Sequence, residues 1–214
     1  DGSVAGNADG PRSNTSEEAG RGTFAQIMER VRAVPGVTSA AELFIVPLSG
    51  SGWNNSIEIG GKKQDGVINF NRVGPDYFRT METPILAGRP FGPEDRLGTT
   101  TTAIVNESFA KKYFGSTSPI GQTFRIEATP GQPQPTYHIV GLVKDTKYTD
   151  LREDLTPIGY FPMDQETDAF GPFFDLIVRT DIPASSLTPS LTRAIRDVAP
   201  NSTVAYELVR TYVR

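Results

Sequence analysis

The chain has 214 residues, a formal net charge of −4, one histidine and no cysteine. This length allows one large domain or two small subdomains and is sufficient for a buried core. The acidic balance argues against a nucleic-acid-binding surface, which requires clustered lysine and arginine. The lack of cysteine excludes disulfides, thiol catalysis and cysteine-ligated zinc. No apolar run approaches the ~18 residues of a membrane-spanning helix, so we expect a soluble piece.

The first part of the chain changes from a polar segment to a helix and a strand. Residues 1–22 contain few apolar side chains, so we predict a flexible N-terminal arm. Residues 23–34 carry apolar side chains at helical spacing, and Pro35 and Gly36 end the predicted helix. Residues 37–47 are rich in valine, leucine, isoleucine and phenylalanine, a composition that predicts a strand.

A loop rich in glycine and serine, residues 49–56, carries the single tryptophan, Trp53. Two interpretations compete. The indole can pack back onto the domain, which is usual for large aromatic side chains and which we favour. Alternatively, it can contact a partner or substrate. The Gly-Gly pair at 60–61 then predicts a hairpin turn between strands at 56–59 and 64–73.

The stretch 69–91 organises the middle of the chain. It begins as a strand, is interrupted by a Gly-Pro-Asp sequence and continues as a short helical turn. Asp76 is predicted to cap this turn through its side-chain oxygen. We predict that Tyr77 and Phe78 are buried, together with Phe109 further along the chain. The stretch carries no nucleophile, general base or metal-binding set, so we interpret it as a structural hub.

The polar loop 91–100 contains two adjacent carboxylates, Glu94 and Asp95. A cation site is one alternative, but calcium sites require about six oxygen ligands in a patterned loop. We therefore interpret this segment as a solvated turn. The strand that follows leads to Asn106, which is predicted to cap a helix that ends at Gly115.

No residue presents a convincing catalytic or ligand-binding pattern. The strand, cap and helix around Asn106 resemble the start of a phosphate-binding loop, but no glycine-rich phosphate-binding motif is present. Lys111 and Lys112 on that helix are interpreted as a solvated face. His138 lies inside a predicted strand with no partner pattern, which favours a structural histidine over a general base or metal ligand. We predict no catalytic, cofactor-binding or metal-binding residues.

The last third of the chain alternates charged and apolar segments. Residues 144–156 are charged and are interpreted as a solvated loop rather than a partner surface. The pattern beyond them predicts two strands, a helix and a closing strand, at 158–161, 173–180, 184–198 and 203–208. Pro189 is placed in the first turn of that helix, where proline is tolerated. The two chain ends therefore predict similar β-α-β units around a β-rich middle, an α+β fold.

Four blocks carry a resemblance to a known family. They are VGPDYFRTMETPILAGRPF, TAIVNESFAKKYFG, SPIGQTFRI and YHIVGLVKDTKY, starting at residues 73, 102, 118 and 137. Their order and spacing resemble the MacB-like periplasmic core domain of MacB/FtsX-type ABC transporter permeases over roughly residues 23–214. The sequence VPLSGSGW, at 46–53, is similar to the branch of duplicated permeases that often lack a fused ATPase.

The resemblance implies a porter-like subdomain formed by residues 23–68 and 161–214, and a Sabre-like subdomain formed by residues 69–160. It implies the periplasmic domain of an inner-membrane efflux or export permease, inserted between membrane helices outside this piece. The expected role is non-catalytic: transmission of movement from those helices. The expected partners are the protein's own membrane helices, a cytoplasmic ABC ATPase, a periplasmic adaptor protein and a second copy in the full-length permease.

Two other functions are weighed against this one. An enzyme would need a nucleophile and base, or a metal, and the sequence offers neither. A stand-alone periplasmic ligand-binding module, with a pocket between subdomains, is the main alternative. The position of the two chain ends discriminates, because an insert between two membrane helices requires both ends on one side of the domain.

Overall fold

The computed structural model describes residues 14–66, 68–127, 134–165 and 174–208. The fold is α+β, as predicted. In the described residues the strands are β1 (Val37–Leu43), β2 (Trp53–Asn55), β3 (Ile57–Ile59), β4 (Lys62–Lys63), β5 (Ile68–Val73), β6 (Ile85–Gly88), β7 (Thr102–Asn106), β8 (Thr123–Ile126), β9 (Thr136–Val143), β10 (Ile158–Pro162) and β11 (Asp175–Thr180). The helices are α1 (Asn14–Arg32), α2 (Tyr77–Thr80), α3 (Glu107–Phe114) and α4 (Ala184–Arg196), and Met163–Gln165 form a 3₁₀ turn.

All the strands of the described residues join one mixed sheet. Its order is β11-β1-β5-β10-β7-β9-β8-β3-β4, with β2 paired to β5 and β6 paired to β9. The pairs β5–β10 and β7–β9 are parallel, and the other pairs are antiparallel. Because β1 contributes alternate residues to opposite faces, Ala41 and Leu43 join one apolar cluster and Ala40 another.

Three apolar clusters form the core. The first lies between α2 and the central strands and includes Tyr77, Phe78 and Tyr160. The second lies between α3 and strands β3, β5, β7, β8, β9 and β10 and includes Phe109 and Phe124. The third packs α1 and α4 against one face of β1 and β11. The elements nearest the two chain ends therefore share one layer, separate from the other two clusters.

Helix α1 begins at Asn14 and not at residue 23 as predicted. Residues 14–22, assigned to a flexible arm, are therefore helical, whereas residues 1–13 lie outside the described part of the chain. The segment Glu17-Glu18-Ala19 has good helix propensity. The prediction of a flexible arm considered only how little apolar surface these residues can bury, and it therefore ignored their helix propensity.

The end of the chain departs from the prediction in two ways. Pro189 lies in the second turn of α4, since the helix begins at Ala184. Pro189 is exposed, so the carbonyl of Ser185, which loses its helical partner, is left on the solvent side. Residues 203–208 form no strand.

The predicted hairpin turn at residues 60–61 is confirmed, with β3 as its first arm, but its second arm is β4 and not the predicted strand 64–73. The strand in that range, β5, begins at Ile68 and pairs with β1, β2 and β10 instead. Strand β3, allocated to the porter-like unit, pairs with β8 of the middle segment. The continuous sheet crosses the proposed boundaries, and the division into two subdomains stays a prediction. Most of the proline-rich loop, residues 128–133, lies outside the described residues.

Candidate functional site

The predicted hub around α2 is confirmed as a buried aromatic cluster. Tyr77 and Phe78 are 4% and 3% exposed. The ring of Tyr160 lies 5.9 Å from that of Tyr77 and 5.0 Å from that of Phe78, measured between centroids. Burial raises the pKa of Tyr77 and of Tyr160 well above that of a free tyrosine. These phenols therefore stay neutral at physiological pH.

Asp76 does not cap α2, and that prediction is wrong. Its side chain makes no capping hydrogen bond. Its carboxylate instead contacts two guanidinium groups, Arg79 at 3.1 Å and Arg32 at 3.3 Å. A contact with a charged guanidinium is stronger than a hydrogen bond from a neutral backbone N–H, so the two arginines occupy the carboxylate oxygens of Asp76. Asp76 therefore ties α2 to α1.

The contact from α1 is part of an ionic junction, which we define as Arg32, Glu42 and Asp76. Arg32 ends α1, and its Nη2 lies 3.8 Å from the Glu42 carboxylate on β1. Its Nε also donates to the carbonyl of Ala40 at 3.3 Å. One guanidinium thus connects helix α1, strand β1 and the residue before α2.

Glu42 is the unusual member of this junction. Its side chain is 9% exposed, and its Oε2 has no hydrogen-bond partner in the described residues. A Cβ added to Gly74 would lie 2.2 Å from the Glu42 carboxyl carbon, so only glycine leaves space for this carboxyl group. Burial raises the pKa of Glu42, and the positive charge of Arg32 only partly offsets this.

Sequence reasoning did not single out Arg32 or Glu42. The available signal was Glu42 itself, a carboxylate between apolar residues in a strand. Such a residue predicts a buried partner of opposite charge. The sequence does not say that this partner lies on the preceding helix.

The interpretation of 91–100 as a solvated turn fails at Asp95, which is 2% exposed. Arg89 donates two hydrogen bonds to the Asp95 carboxylate, at 2.6 and 2.9 Å, and Thr102 and the backbone of Gly92 donate one each. Burial would raise the pKa of Asp95, but these donors together lower it. Glu94 remains at the surface, 56% exposed.

The N-terminus of α3 is already occupied. Asn106 caps it as predicted, accepting from the backbone N–H of Phe109 at 3.0 Å. Asp145 accepts from both the backbone N–H and the hydroxyl of Ser108, at 2.9 and 2.7 Å. These side chains take the donors that an anion would need. Asp145 also shows that part of 144–156 is ordered against α3 and is not simply a solvated loop.

Trp53 packs onto the domain, as favoured. Its ring lies 5.3 Å from that of Phe70 and 5.7 Å from that of Phe161. Its outer face carries the guanidinium of Arg72, 4.6 Å from the ring centroid. His138 is exposed on β9 and has no side-chain partner that would make it a general base in the described residues.

A groove lies beside β11. It has a volume of about 930 Å³ and is lined by β11, by α4, by Thr80 and Met81, and by residues 201–208. Tyr206 holds the last of these segments against α4, with its hydroxyl 2.8 Å from that of Thr192.

The described residues contain no group of three or more histidine, cysteine, aspartate or glutamate side chains arranged to hold a metal. No helix among them is both long and apolar enough to cross a membrane. The architecture is that of an α+β domain with two helices from the chain ends in a common layer.

Comparison with known proteins identifies the class. Residues 3–205 match the model of the MacB-like periplasmic core domain, and the chain belongs to this family. It is thus an extracytoplasmic domain of a MacB-like ABC transporter permease, a membrane protein that works with an ABC ATPase. A search of curated proteins found no match.

Three solved structures share the fold. The periplasmic region of MacB from Actinobacillus actinomycetemcomitans is 15% identical, with a TM-score of 0.59, over 82% of this chain and 74% of that one. The extracellular domain of the noncanonic ABC-type transporter YknZ from Gram-positive bacteria is 18% identical, with a TM-score of 0.54, over 81% and 82%. A domain of a putative permease from Porphyromonas gingivalis is 16% identical, with a TM-score of 0.53, over 79% and 68%.

Proposed function

We propose that this domain is a non-catalytic coupling element that transmits movement between the membrane helices of its permease and the periplasm. The observation that carries the proposal is the common layer of the chain ends. Phe24 of α1, Leu187 of α4 and Val204 beyond it pack in one cluster. A domain inserted between two membrane helices needs its two ends together, and this layer supports that arrangement.

The ionic junction gives this layer a route to the rest of the domain. Movement of α1 would pull on Arg32, which contacts Glu42 on β1 and Asp76 before α2. Beyond these contacts lie the buried rings of Tyr77 and Phe78, against the central strand β10. A packed core of this kind moves as a body, so displacement at the chain ends is carried across the sheet.

The same layer is the basis for assigning different roles to two parts of the chain. We propose that residues 23–68 and 161–214 form the unit that follows the membrane helices, and residues 69–160 the unit that faces the periplasm. The hairpin β3–β4 would move with the second unit, because β3 pairs with β8. Contact with a periplasmic adaptor and pairing with a second copy are further proposals for the full-length permease.

The test compares two arginines of α1 in the full-length permease with its ATPase. Arg32→Ala removes the ionic junction, whereas Arg30→Ala removes an exposed charge of the same helix. We expect Arg32→Ala to lower export, read as growth on a panel of antibiotics and antimicrobial peptides, while ATP hydrolysis persists. Arg30→Ala should leave both unchanged.

A second variant replaces residues 14–208 by a short flexible linker. Export by this shortened permease at the level of the intact protein would overturn the coupling function. The same panel, applied to the isolated domain as a thermal-shift screen, addresses the stand-alone ligand-binding alternative. Stabilisation of the isolated domain by one compound, with export unaffected by the linker, would favour that alternative.

A further inference from the structure

Helix α2 ends in a turn where glutamate stands at a position that usually holds glycine. The backbone N–H of Glu82 donates to the carbonyl of Arg79 at 3.2 Å, and that of Thr83 donates to the carbonyl of Phe78 at 2.8 Å. These bonds form a Schellman motif, and Glu82 occupies its left-handed position with a φ of 53°. A side chain strains the backbone in this region, and such strain is found where it serves a function. The reason for a glutamate here must therefore lie in its side chain.

Arg179 of strand β11 reaches this end of α2. Side chains alternate along a strand, so Arg179 lies on the same face of the sheet as Ile177, which packs in the apolar cluster that contains Tyr77. The Nη1 atom of Arg179 lies 2.9 Å from the Glu82 carboxylate, and its Nε donates to the carbonyl of Thr80 at 2.7 Å. One guanidinium thus binds both the last carbonyl of α2 and the strained residue beyond it.

Helix α2 is attached at both ends to the chain-end layer, which we define as α1, β1, β11 and α4. At its C-terminal end, next to the Arg179 contact, the buried hydroxyl of Thr80 lies 2.5 Å from that of Ser39 on β1. Just before its N-terminal end, Asp76 contacts Arg32 of α1 at 3.3 Å. Two arginines from the same layer therefore hold one four-residue helix, one from α1 and one from β11.

The two arginines come from opposite sides of the chain. Helix α1 is the first described element, and β11 leads into α4, the last helix of the described residues. The Arg179 contact is also easy to release, because the side chains of Arg179 and Glu82 are 29% and 68% exposed and such ion pairs are weak. A shift of either chain end relative to the interior thus acts on the same short helix.

We propose that α2 is a lever with two arginine attachments, and that Arg179 is the positioning residue that passes movement of the C-terminal side of the domain to the buried rings of Tyr77 and Phe78. This inference rests on the proposed coupling function and adds a second input to the ionic junction, which serves the N-terminal side. The ion pair with Arg179 offsets the backbone strain of Glu82. When β11 moves away, this compensation is lost and the end of α2 loosens.

A double-mutant cycle on this domain, followed by urea unfolding, tests the attachment. Glu82→Gly relieves the backbone strain but also removes the carboxylate. In the Arg179→Ala background only the relief remains, and we expect the equilibrium constant for folding to rise about fourfold. In the native background the lost ion pair offsets the relief, and the constant should change less than about twofold.

The matched control is the same cycle with Arg79→Ala, because Arg79 is an exposed arginine of α2 whose side chain pairs with Asp76. In that background Glu82→Gly should act as it does in the native domain. An equal rise in the native and Arg179→Ala backgrounds would overturn the attachment, since it would show that Glu82 is only a strained cap.

Transmission is tested in the full-length permease with its ATPase, on the same panel of compounds. We expect Arg179→Ala to lower export at least about fivefold while ATP hydrolysis persists. Arg193→Ala, which removes an exposed charge of α4, should change neither. Glu82→Gln breaks the same ion pair from an exposed side chain and should lower export as well. Combined with Arg179→Ala it should lower export no further, because the two residues form one attachment, whereas losses that multiply would overturn this role of Arg179.

The outcomes separate the lever from the coupling function. If the permease with residues 14–208 replaced by a linker exports at the level of the intact protein, the coupling function is wrong and the lever with it. If that replacement abolishes export but Arg179→Ala exports at the full level, coupling stands and the lever alone is overturned.

Discussion

The interior half of the sheet and the chain-end layer are built differently. In the interior, every residue of β7 and β10 is buried. The rings of Phe70, Phe109, Phe124 and Phe161 are linked by centroid distances of 5.2 to 6.5 Å. In the chain-end layer, β11 contains no fully buried residue and borders an open groove.

This contrast separates a stiff body from an adjustable end. Interdigitated rings resist displacement because any shift opens a cavity or forces an overlap. The chain-end layer is joined to that body by β1 and by the ionic junction, and one side of its edge strand is unpaired. A domain that transmits movement benefits from both properties. Substitutions in the two regions should therefore differ in size, and four measurements test this.

The largest effect is expected at the centre of the interior half. Phe109 is fully buried on α3, and Phe109→Ala should lower the free energy of unfolding by about 3–5 kcal/mol, because it leaves a cavity. Phe174→Ala, the matched change in the chain-end layer, removes a ring that is 40% exposed and should cost about 1 kcal/mol. Urea unfolding of both variants measures the difference. Equal losses would remove the distinction between the regions.

The next largest effect is expected at Asp95, the buried carboxylate of the interior half. Arg89→Ala leaves Asp95 without its ion pair and should cost about 2–3 kcal/mol, less than for a fully buried pair since Arg89 is 38% exposed. Arg79→Ala removes an exposed pair and should cost below ~1 kcal/mol.

The Arg89 effect should also depend on pH. The pKa of Asp95 is lowered in the folded state, so this stabilisation is present above about pH 3.8 and is lost as the pH falls through the folded pKa. Urea unfolding between pH 3 and 7 checks both statements. If the loss of stability caused by Arg89→Ala stayed constant from pH 7 down to pH 3, the stabilisation would not depend on the charge of Asp95.

The ionic junction should show the opposite dependence on pH. The pKa of Glu42 is raised in the folded state, so folding favours the protonated carboxyl group. Stability is therefore lost as the pH rises from about 4.5 through the folded pKa. Glu42→Gln should stabilise the domain by about 1 kcal/mol at pH 8 and have no effect near pH 4.5.

Glu29→Gln, on the exposed side of α1, serves as the control for Glu42→Gln and should change stability little at any pH. Urea unfolding from pH 4.5 to 8 follows both variants. If Glu42→Gln destabilises the domain at pH 8, the attraction of Arg32 exceeds the cost of burying the carboxylate, and the junction is a strong tie.

The smallest effect is expected at the end of the chain. The hydroxyl of Tyr206 bonds Thr192 and the carbonyl of Thr188 at the surface, and Tyr206→Phe should cost about 0.5 kcal/mol. Tyr148→Phe removes a buried hydroxyl that donates to the Phe70 carbonyl at 2.5 Å, and should cost about 1–2 kcal/mol. Thermal unfolding ranks the two. A larger loss at Tyr206 would mean that the end segment is held as firmly as the core.

Sequence reasoning succeeded where the signal was local. Asn106 precedes the helix that it caps, and its oxygen bonds an N–H three residues later. The Gly-Gly pair at 60–61 sets the turn of its hairpin. The apolar spacing of residues 24–31 identified the buried face of α1, although its first turns were missed.

The two wrong predictions, for Asp76 and Asp95, share a different cause. Asp76 was predicted to serve the helix next to it, but Arg32, from another element, takes its carboxylate. Asp95 looked like part of a solvated turn, but Arg89 and Thr102 surround it. In each case a short-range rule was overruled by a charged partner that the sequence does not place nearby.

The sequence by itself determined the α+β class and the order of most elements, because caps, turns and apolar periodicity act over a few neighbouring residues. The family followed from the resemblance of four sequence blocks to a known domain. Only the tertiary structure decided which carboxylates are buried, what ties α1 to the sheet, and that residues 203–208 form no strand. Those outcomes depend on pairs of residues far apart in the chain, whose free energy is set by burial and distance once the sheet has assembled.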